Sequence, residues 1–304
     1  MADIISNTTL DGSYVQSDYD YVDYNDYVIK VIIYRIIYWI TRIIICIDLP
    51  LTLIAIYALF TLVQNNHVAP IYVINLLIAD IFQLCCIITK ARWYFYVHEF
   101  SLIYAYIYSL MASVGFMVCL SLERYMVIAY PLKHCFMHSI KMSGVVCVVV
   151  WALPLVFLLP FAFRVDFHVT IFIFDLFFIL PFPLLIFFLG GTLKALSASI
   201  SVPSNEKRQT VGILVLLLLI YMLLFLPSLV WLMADSDRNA NILSYKAFVF
   251  QDCSGVRNLS ILFIRFSPLA HLVLCVFMSK GAIDKLLTSL GCCKMGGNDI
   301  NITV

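Results

Sequence analysis

Charge is what this sequence has least of. Asp, Glu, Lys and Arg make up 12% of its 304 residues, while 63% are hydrophobic. A soluble domain carries about 25% charged residues, so this composition excludes a soluble globule and points to membrane spans of roughly 20 mostly apolar residues each. The 19 basic and 18 acidic side chains leave a net charge of +1. The basic residues are scattered singly, and without a basic tract nucleic-acid binding has nothing to rest on. Met1 to Gln16 is polar and lacks the apolar core and small-residue cleavage site of a signal peptide. The first span is therefore expected to act as its own insertion signal. The chain also has no Gly-rich phosphate loop, no His-Glu-x-x-His and no nucleophile elbow, so no enzyme is expected. Its 10 cysteines form no disulfide framework. Cys46, Cys85, Cys86, Cys119, Cys147 and Cys275 lie inside apolar runs and read as buried packing thiols. Cys135 follows the third apolar run on the same side of the membrane as Arg124, and Cys253 is the one cysteine expected to be extracellular, so an extracellular bridge lacks its second partner.

What the chain does have is a series of seven apolar segments: Ile36–Val63, Ile71–Arg92, His98–Tyr130, Lys141–Phe163, Val169–Ala195, Gln209–Ala234 and Asp252–Met278. Each can cross a hydrocarbon core of about 30 Å, which predicts an all-α, seven-transmembrane helix bundle in a lipid bilayer. Pro50, Pro154, Pro160, Pro181, Pro183, Pro227 and Pro268 fall inside or near the ends of these segments and suit helices that bend about hinges. Residues 1–35 form an acidic, tyrosine-rich stretch without helical or strand periodicity, expected to be a disordered tail. The bundle then covers 36–278, and 279–304 holds a short amphipathic eighth helix and a tail. Ile283, Leu286 and Leu287 share the apolar face of that helix, which would lie along the membrane surface. Cys292 and Cys293 follow it as palmitoylation candidates or as two plain thiols. Lys and Arg are spread over both sets of loops and do not settle topology. Asn7-Thr8-Thr9 reads as a glycosylation acceptor or a chance match.

One stretch organises the rest. Ser121-Leu122-Glu123-Arg124-Tyr125 closes the third apolar segment with an acid, a base and an aromatic, and Pro131-Leu132 follow. Charges at the end of a membrane-length helix are costly unless paired or wetted, so they are functional-site candidates. Asn75-Leu76-Leu77-Ile78-Ala79-Asp80, Ser113, Trp151, Pro183 and Leu224-Phe225-Leu226-Pro227 stand in order around it. Together these landmarks resemble those of rhodopsin-like (class A) G-protein-coupled receptors.

The resemblance implies a plasma-membrane receptor with an extracellular N-terminus, which passes the binding of an extracellular ligand to a heterotrimeric G protein. On this reading Glu123 neutralises Arg124 at rest, and Arg124, Tyr125 and Leu132 meet the G protein once the sixth span swings out. Pro183, Phe225 and Pro227 would form the activation hinge. The acid-flanked tyrosines of the tail also resemble the sulfated tails of chemokine and anaphylatoxin receptors, with a plain solvated tail as the alternative.

The departures are equally specific. Glu99 replaces the span-three cysteine, Phe225 the usual tryptophan, Gly191 a tyrosine, Thr52 an asparagine, and His271 and Cys275 the asparagine and tyrosine of span seven. The foot of span six carries Lys207 with Glu206 beside it where an acid usually latches the arginine, which leads us to expect elevated basal signalling. The family holds a sodium ion at Asp80 with help from the Ser113 position. Here Ser113, Ser267 and His271 surround that site, and an Asp80–His271 ion pair could stand in for sodium, its protonation depending on pH and conformation. A neutral His271 bonded to Asp80 is the structural alternative.

For the ligand, the outer halves of the spans offer Lys90, Arg92, Arg257 and Arg265 as cations and Glu99 and Asp175 as acids. Arg265 lies deep in an apolar run and should meet an anion, either an anionic small molecule, lipid or peptide group held with Lys90 or Arg92, or internally Asp175 or a tyrosine. It matches the position of the retinal-bearing lysine of opsins, but arginine does not form a Schiff base. Two other classes stay in view: a non-coupling or decoy receptor, and a small transporter, for which no inverted repeat is visible.

Overall fold

The computed structural model describes residues 12–64, 71–92, 99–130, 140–163, 167–198, 204–227 and 262–278. The helices are α1 (Gly12–Gln64), α2 (Ile71–Arg92), α3 (Glu99–Ala129), α4 (Ile140–Ala162), α5 (Phe167–Ile179), α6 (Pro181–Ala198) and α7 (Ser204–Leu224), followed by α8 (Ser267–Met278). Five stretches are long and apolar enough to cross a membrane: Val31–Phe60, Ile71–Lys90, Ser101–Ala129, Met142–Pro160 and Phe172–Ser197. The last of these runs through α5 and α6 together. The shorter apolar helices Arg208–Leu224 and Ser267–Met278 fall within the sixth and seventh expected spans.

The start of α1 corrects the expected tail. Residues from Gly12 onward are helical, whereas a disordered stretch was expected up to residue 35. From Ser13 to Leu49 the sequence contains neither glycine nor proline. A helix already nucleated in the span can therefore propagate backward at low cost per residue, although no apolar stripe anchors it. The expected eighth helix after Met278, Cys292 and Cys293, Asn7, Cys135, Cys253 and Leu132 all lie outside the described residues.

α3 is the axis of the bundle. It packs against α2, α4, α6 and α7, while α1 leans on α2. Its inward positions Met111, Ala112, Val114, Phe116, Met117 and Leu120 are fully buried, along with Leu76 and Leu77 of α2 and Leu217 of α7. Large apolar residues such as Ile54, Tyr57, Val148, Phe172 and Leu223 are exposed, as a lipid-facing surface requires. Cys46 and Cys85 share that outer surface, so only Cys147 and Cys275 are buried packing thiols and Cys86 and Cys119 are intermediate. The expectation for Cys46 and Cys85 fails because an apolar run in a bundle presents one side to lipid.

Close helix approaches are set by named residues. A Cβ at Gly115 would stand 2.8 Å from Val150 Cγ1, so α3 and α4 meet where only glycine fits. Trp151 Nε1 donates to Asn75 Oδ1 at 3.0 Å, and Tyr108 donates its hydroxyl proton to the Trp151 carbonyl at 2.8 Å. These bonds tie α2, α3 and α4 together. The α5–α6 break falls where Pro181 and Pro183 remove two backbone donors, and Tyr221 of α7 donates its hydroxyl proton to the Phe178 carbonyl beside it.

Candidate functional site

The polar centre of the bundle is assembled by α1, α2, α3 and α8. Asp80, Gln83, Ser113, Ser267 and His271 are all fully buried. His271 Nδ1 faces both carboxylate oxygens of Asp80, at 2.9 and 3.1 Å. An ionised carboxylate only accepts, so this geometry puts a proton on Nδ1. The other ring nitrogen, Nε2, has no partner. Ser267 donates to Gln83 Oε1 at 3.2 Å, and Gln83 Nε2 donates to Ser113 Oγ at 2.7 Å. Ser113 has one proton to give and two acceptors in range, the Ser109 carbonyl at 3.0 Å and Asp80 Oδ1 at 3.5 Å. The shorter contact takes it, so His271 is the main partner of Asp80.

These residues do not fit a sodium ion. Sodium needs several oxygen ligands, whereas a ring nitrogen already occupies the face of Asp80 toward α8 and Ser113 is spent on other bonds.

Sequence reasoning missed two members of this centre. Gln83 lies one turn beyond Asp80 and so on the same helix face, a spacing that was legible. Asp48 of α1 is fully buried, accepts from Thr52 Oγ1 at 3.5 Å, and lies within electrostatic reach of both Asp80 and His271. Its Oδ2 has no hydrogen-bond partner. An acid in the middle of an apolar span was itself the signal.

At the far end of α3, Glu123 is buried at 7% exposure and Arg124 is half-buried. The two side chains make no close contact, although the Arg124 charge still reaches the Glu123 carboxyl. The described residues hold no ion pair between these two side chains, and Glu123 Oε2 and Arg124 Nε both lack hydrogen-bond partners. Successive residues on a helix point in different directions, and only those three or four apart face each other. Tyr125 turns toward α6. A Cβ at Gly191 would need to stand 2.7 Å from its ring, and Phe188 packs on the same ring at 5.8 Å. The side chain missing at Gly191 is thus replaced by Tyr125 reaching across from α3. The side chains of Glu206 and Lys207 lie outside the described residues.

Of the hinge candidates, Phe225 is buried and stacks on Tyr221 at 5.1 Å and Phe178 at 5.9 Å. Pro183 sits just after the α5–α6 break with an exposed ring, and Pro227 ends the described part of the sixth span. Among the ligand candidates, Lys90 lies at the outer end of α2, and Asp175 is buried in α5 with Oδ1 unpartnered. Arg265 donates to Thr41 Oγ1 at 2.7 Å and makes no ion pair with Asp175. The side chains of Arg92, Glu99 and Arg257 lie outside the described residues.

Asp80, Glu123-Arg124-Tyr125 and Trp151 all fall within the stretch that a family model matches. Residues 51–168 fit the model of the 7 transmembrane receptor (rhodopsin family). G-protein coupled receptor 68 of Mus musculus is 24% identical over 278 residues, 80% of this chain and 73% of its own length. Proteinase-activated receptor 1 of Xenopus laevis is 21% identical over 82% of this chain and 64% of its own length. Type-1 angiotensin II receptor of Meriones unguiculatus is also similar, 30% identical over 111 residues, 33% of this chain and 30% of its own length. These similarities support a rhodopsin-like G-protein-coupled receptor. They support a multi-pass membrane receptor of the cell surface rather than an enzyme, with a G protein and an extracellular ligand as its partners.

Proposed function

We propose that this plasma-membrane receptor, with its N-terminus outside, couples to its G protein in part without ligand and without control by sodium. The observation that supports this most is the state of Arg124: half-buried at the end of α3, in no close ion pair with Glu123, and with Nε unpartnered among the described residues. A guanidinium not latched by a close ion pair there is already disposed toward an incoming carbonyl or C-terminal helix. Glu123, Arg124, Tyr125 and Leu132 form the coupling surface in this reading, with movement about Pro183, Phe225 and Pro227. The pair of His271 and Asp80, supported by Ser113 and Ser267, takes the role that sodium plays elsewhere in the family. The ligand is anionic and engages Arg265, with Lys90, Arg92, Glu99, Asp175 and Arg257 around the outer vestibule. Asn7 carries glycan, and Cys292 and Cys293 carry palmitate.

Nucleotide exchange on a panel of G proteins, measured in vesicles with purified receptor and no added ligand, tests the reading. Exchange above that of empty vesicles, abolished by Arg124→Ala, is the expected result. Exchange equal to empty vesicles across the panel would favour the decoy alternative instead.

A further inference from the structure

Arg265 closes a short helical segment, residues 262–265, just ahead of α8. Pro268 cannot donate a backbone bond, and the chain tightens just before it, with Phe266 N bonded to the Phe263 carbonyl at 3.0 Å. From there the Arg265 side chain reaches α1. One guanidinium nitrogen donates to Thr41 Oγ1 at 2.7 Å. The Thr41 hydroxyl gives its own proton to the Ile37 carbonyl at 2.7 Å. Thr41 can therefore hold the guanidinium but has no proton left for a ligand.

The other groups that feel the Arg265 charge are the phenol oxygens of Tyr106 on α3 and Tyr34 on α1. All three neighbours are neutral, and no carboxylate lies within 4.0 Å of Arg265 among the described residues. A permanent cation at this depth of an apolar bundle is costly until an anion meets it. Arginine has five N–H donors in a planar fork, and Thr41 uses one of them.

We infer that Arg265, oriented by Thr41, is the point of the ligand site that receives a carboxylate. One guanidinium matches one negative charge. Its planar fork matches two carboxylate oxygens. A doubly charged phosphate would leave a surplus charge in a low-dielectric setting. Thr41 is a positioning residue, since it reaches the ligand only through Arg265. The inference rests on the receptor reading above and adds the chemical class that the ligand presents.

The test uses the full chain in zwitterionic nanodiscs, with benzoate as the probe and benzamide and phenylphosphonate as neutral and dianionic comparisons at constant ionic strength. Saturation-transfer NMR and the shift in Tm read binding. Benzoate is expected to bind and to raise Tm, benzamide to do neither, and phenylphosphonate to bind more weakly. Arg265→Gln should weaken benzoate about tenfold to a hundredfold, since hydrogen bonds to charged groups are lost. Thr41→Val keeps the shape but removes the hydroxyl that orients the guanidinium and should weaken it about threefold to tenfold, which decides the matter if the arginine variant does not fold. No benzoate binding to the native receptor, unchanged binding in both variants, or tighter binding of phenylphosphonate overturns the inference. Basal nucleotide exchange measured in the same preparations separates the two readings. Exchange without benzoate binding removes the carboxylate site and leaves the receptor reading, while benzoate binding without exchange does the reverse.

Discussion

Replacing His271 with alanine strands Asp80. Both side chains are fully buried, and the histidine nitrogen is within 3.1 Å of each carboxylate oxygen. Among the described residues, the other hydrogen-bond contact to the carboxylate is Ser113 at 3.5 Å, from a hydroxyl better used elsewhere. Removing one partner of a buried ion pair costs about 3–5 kcal/mol, and about 1.5–3 kcal/mol if the histidine is neutral and only a hydrogen bond to a charged group is lost. For a bundle of this size each kcal/mol moves Tm by roughly 2–4 °C. The expected drop is therefore about 6–20 °C for an ion pair and about 3–12 °C for a neutral histidine. Helical circular dichroism of the receptor in nanodiscs, followed on heating, reads it. His271→Asn keeps an amide donor near Asp80 and should recover at least half of the loss. A drop below about 2 °C in the alanine variant would refute the claim that His271 is the main partner of Asp80.

Asp48→Asn should leave Tm unchanged or raise it, because Asp48 is fully buried with one oxygen unpartnered and the amide brings no charge into that site; a fall of more than about 1 kcal/mol in the same melt would contradict this. Gly191→Ala places a Cβ against the Tyr125 ring at 2.7 Å and should cost about 1–3 kcal/mol as overpacking. Adding Tyr125→Leu should restore most of that, and a double variant no better than the single one would count against the contact. Tyr221→Phe removes the hydroxyl that bonds the Phe178 carbonyl at the α5–α6 break. It should lower Tm by the equivalent of about 1 kcal/mol and change basal nucleotide exchange, whereas a silent variant would show that the break is satisfied without it.

Much of the fold was legible because long apolar runs have few alternatives in a bilayer: every backbone group must be bonded within a helix. The segments around Leu76, Met117 and Leu217 were placed on that ground alone. The N-terminal tail misled for the opposite reason, since its acids and tyrosines lack a stripe but also lack any residue that stops a helix entering from the span. Asp80, Ser113, Ser267 and His271 come together as their order along the chain suggested, because each lies on an inward helix face. Glu123 and Arg124 interact only at a distance, as neighbours in sequence do not face one another on a helix. Thr41 gave no local signal. It matters because it meets Arg265 just ahead of α8, and a juxtaposition of two segments far apart in sequence is not written in the spacing of either.

The account turns on a histidine doing the work of a cation beside Asp80 in a receptor that couples without ligand. Basal nucleotide exchange by the native receptor in vesicles, with sodium chloride replaced stepwise by choline chloride at constant ionic strength, tests it most directly. The account predicts exchange above empty vesicles and a rate that does not change with sodium. Exchange that falls as sodium rises would show that the ion still finds a site at Asp80, and would contradict the account.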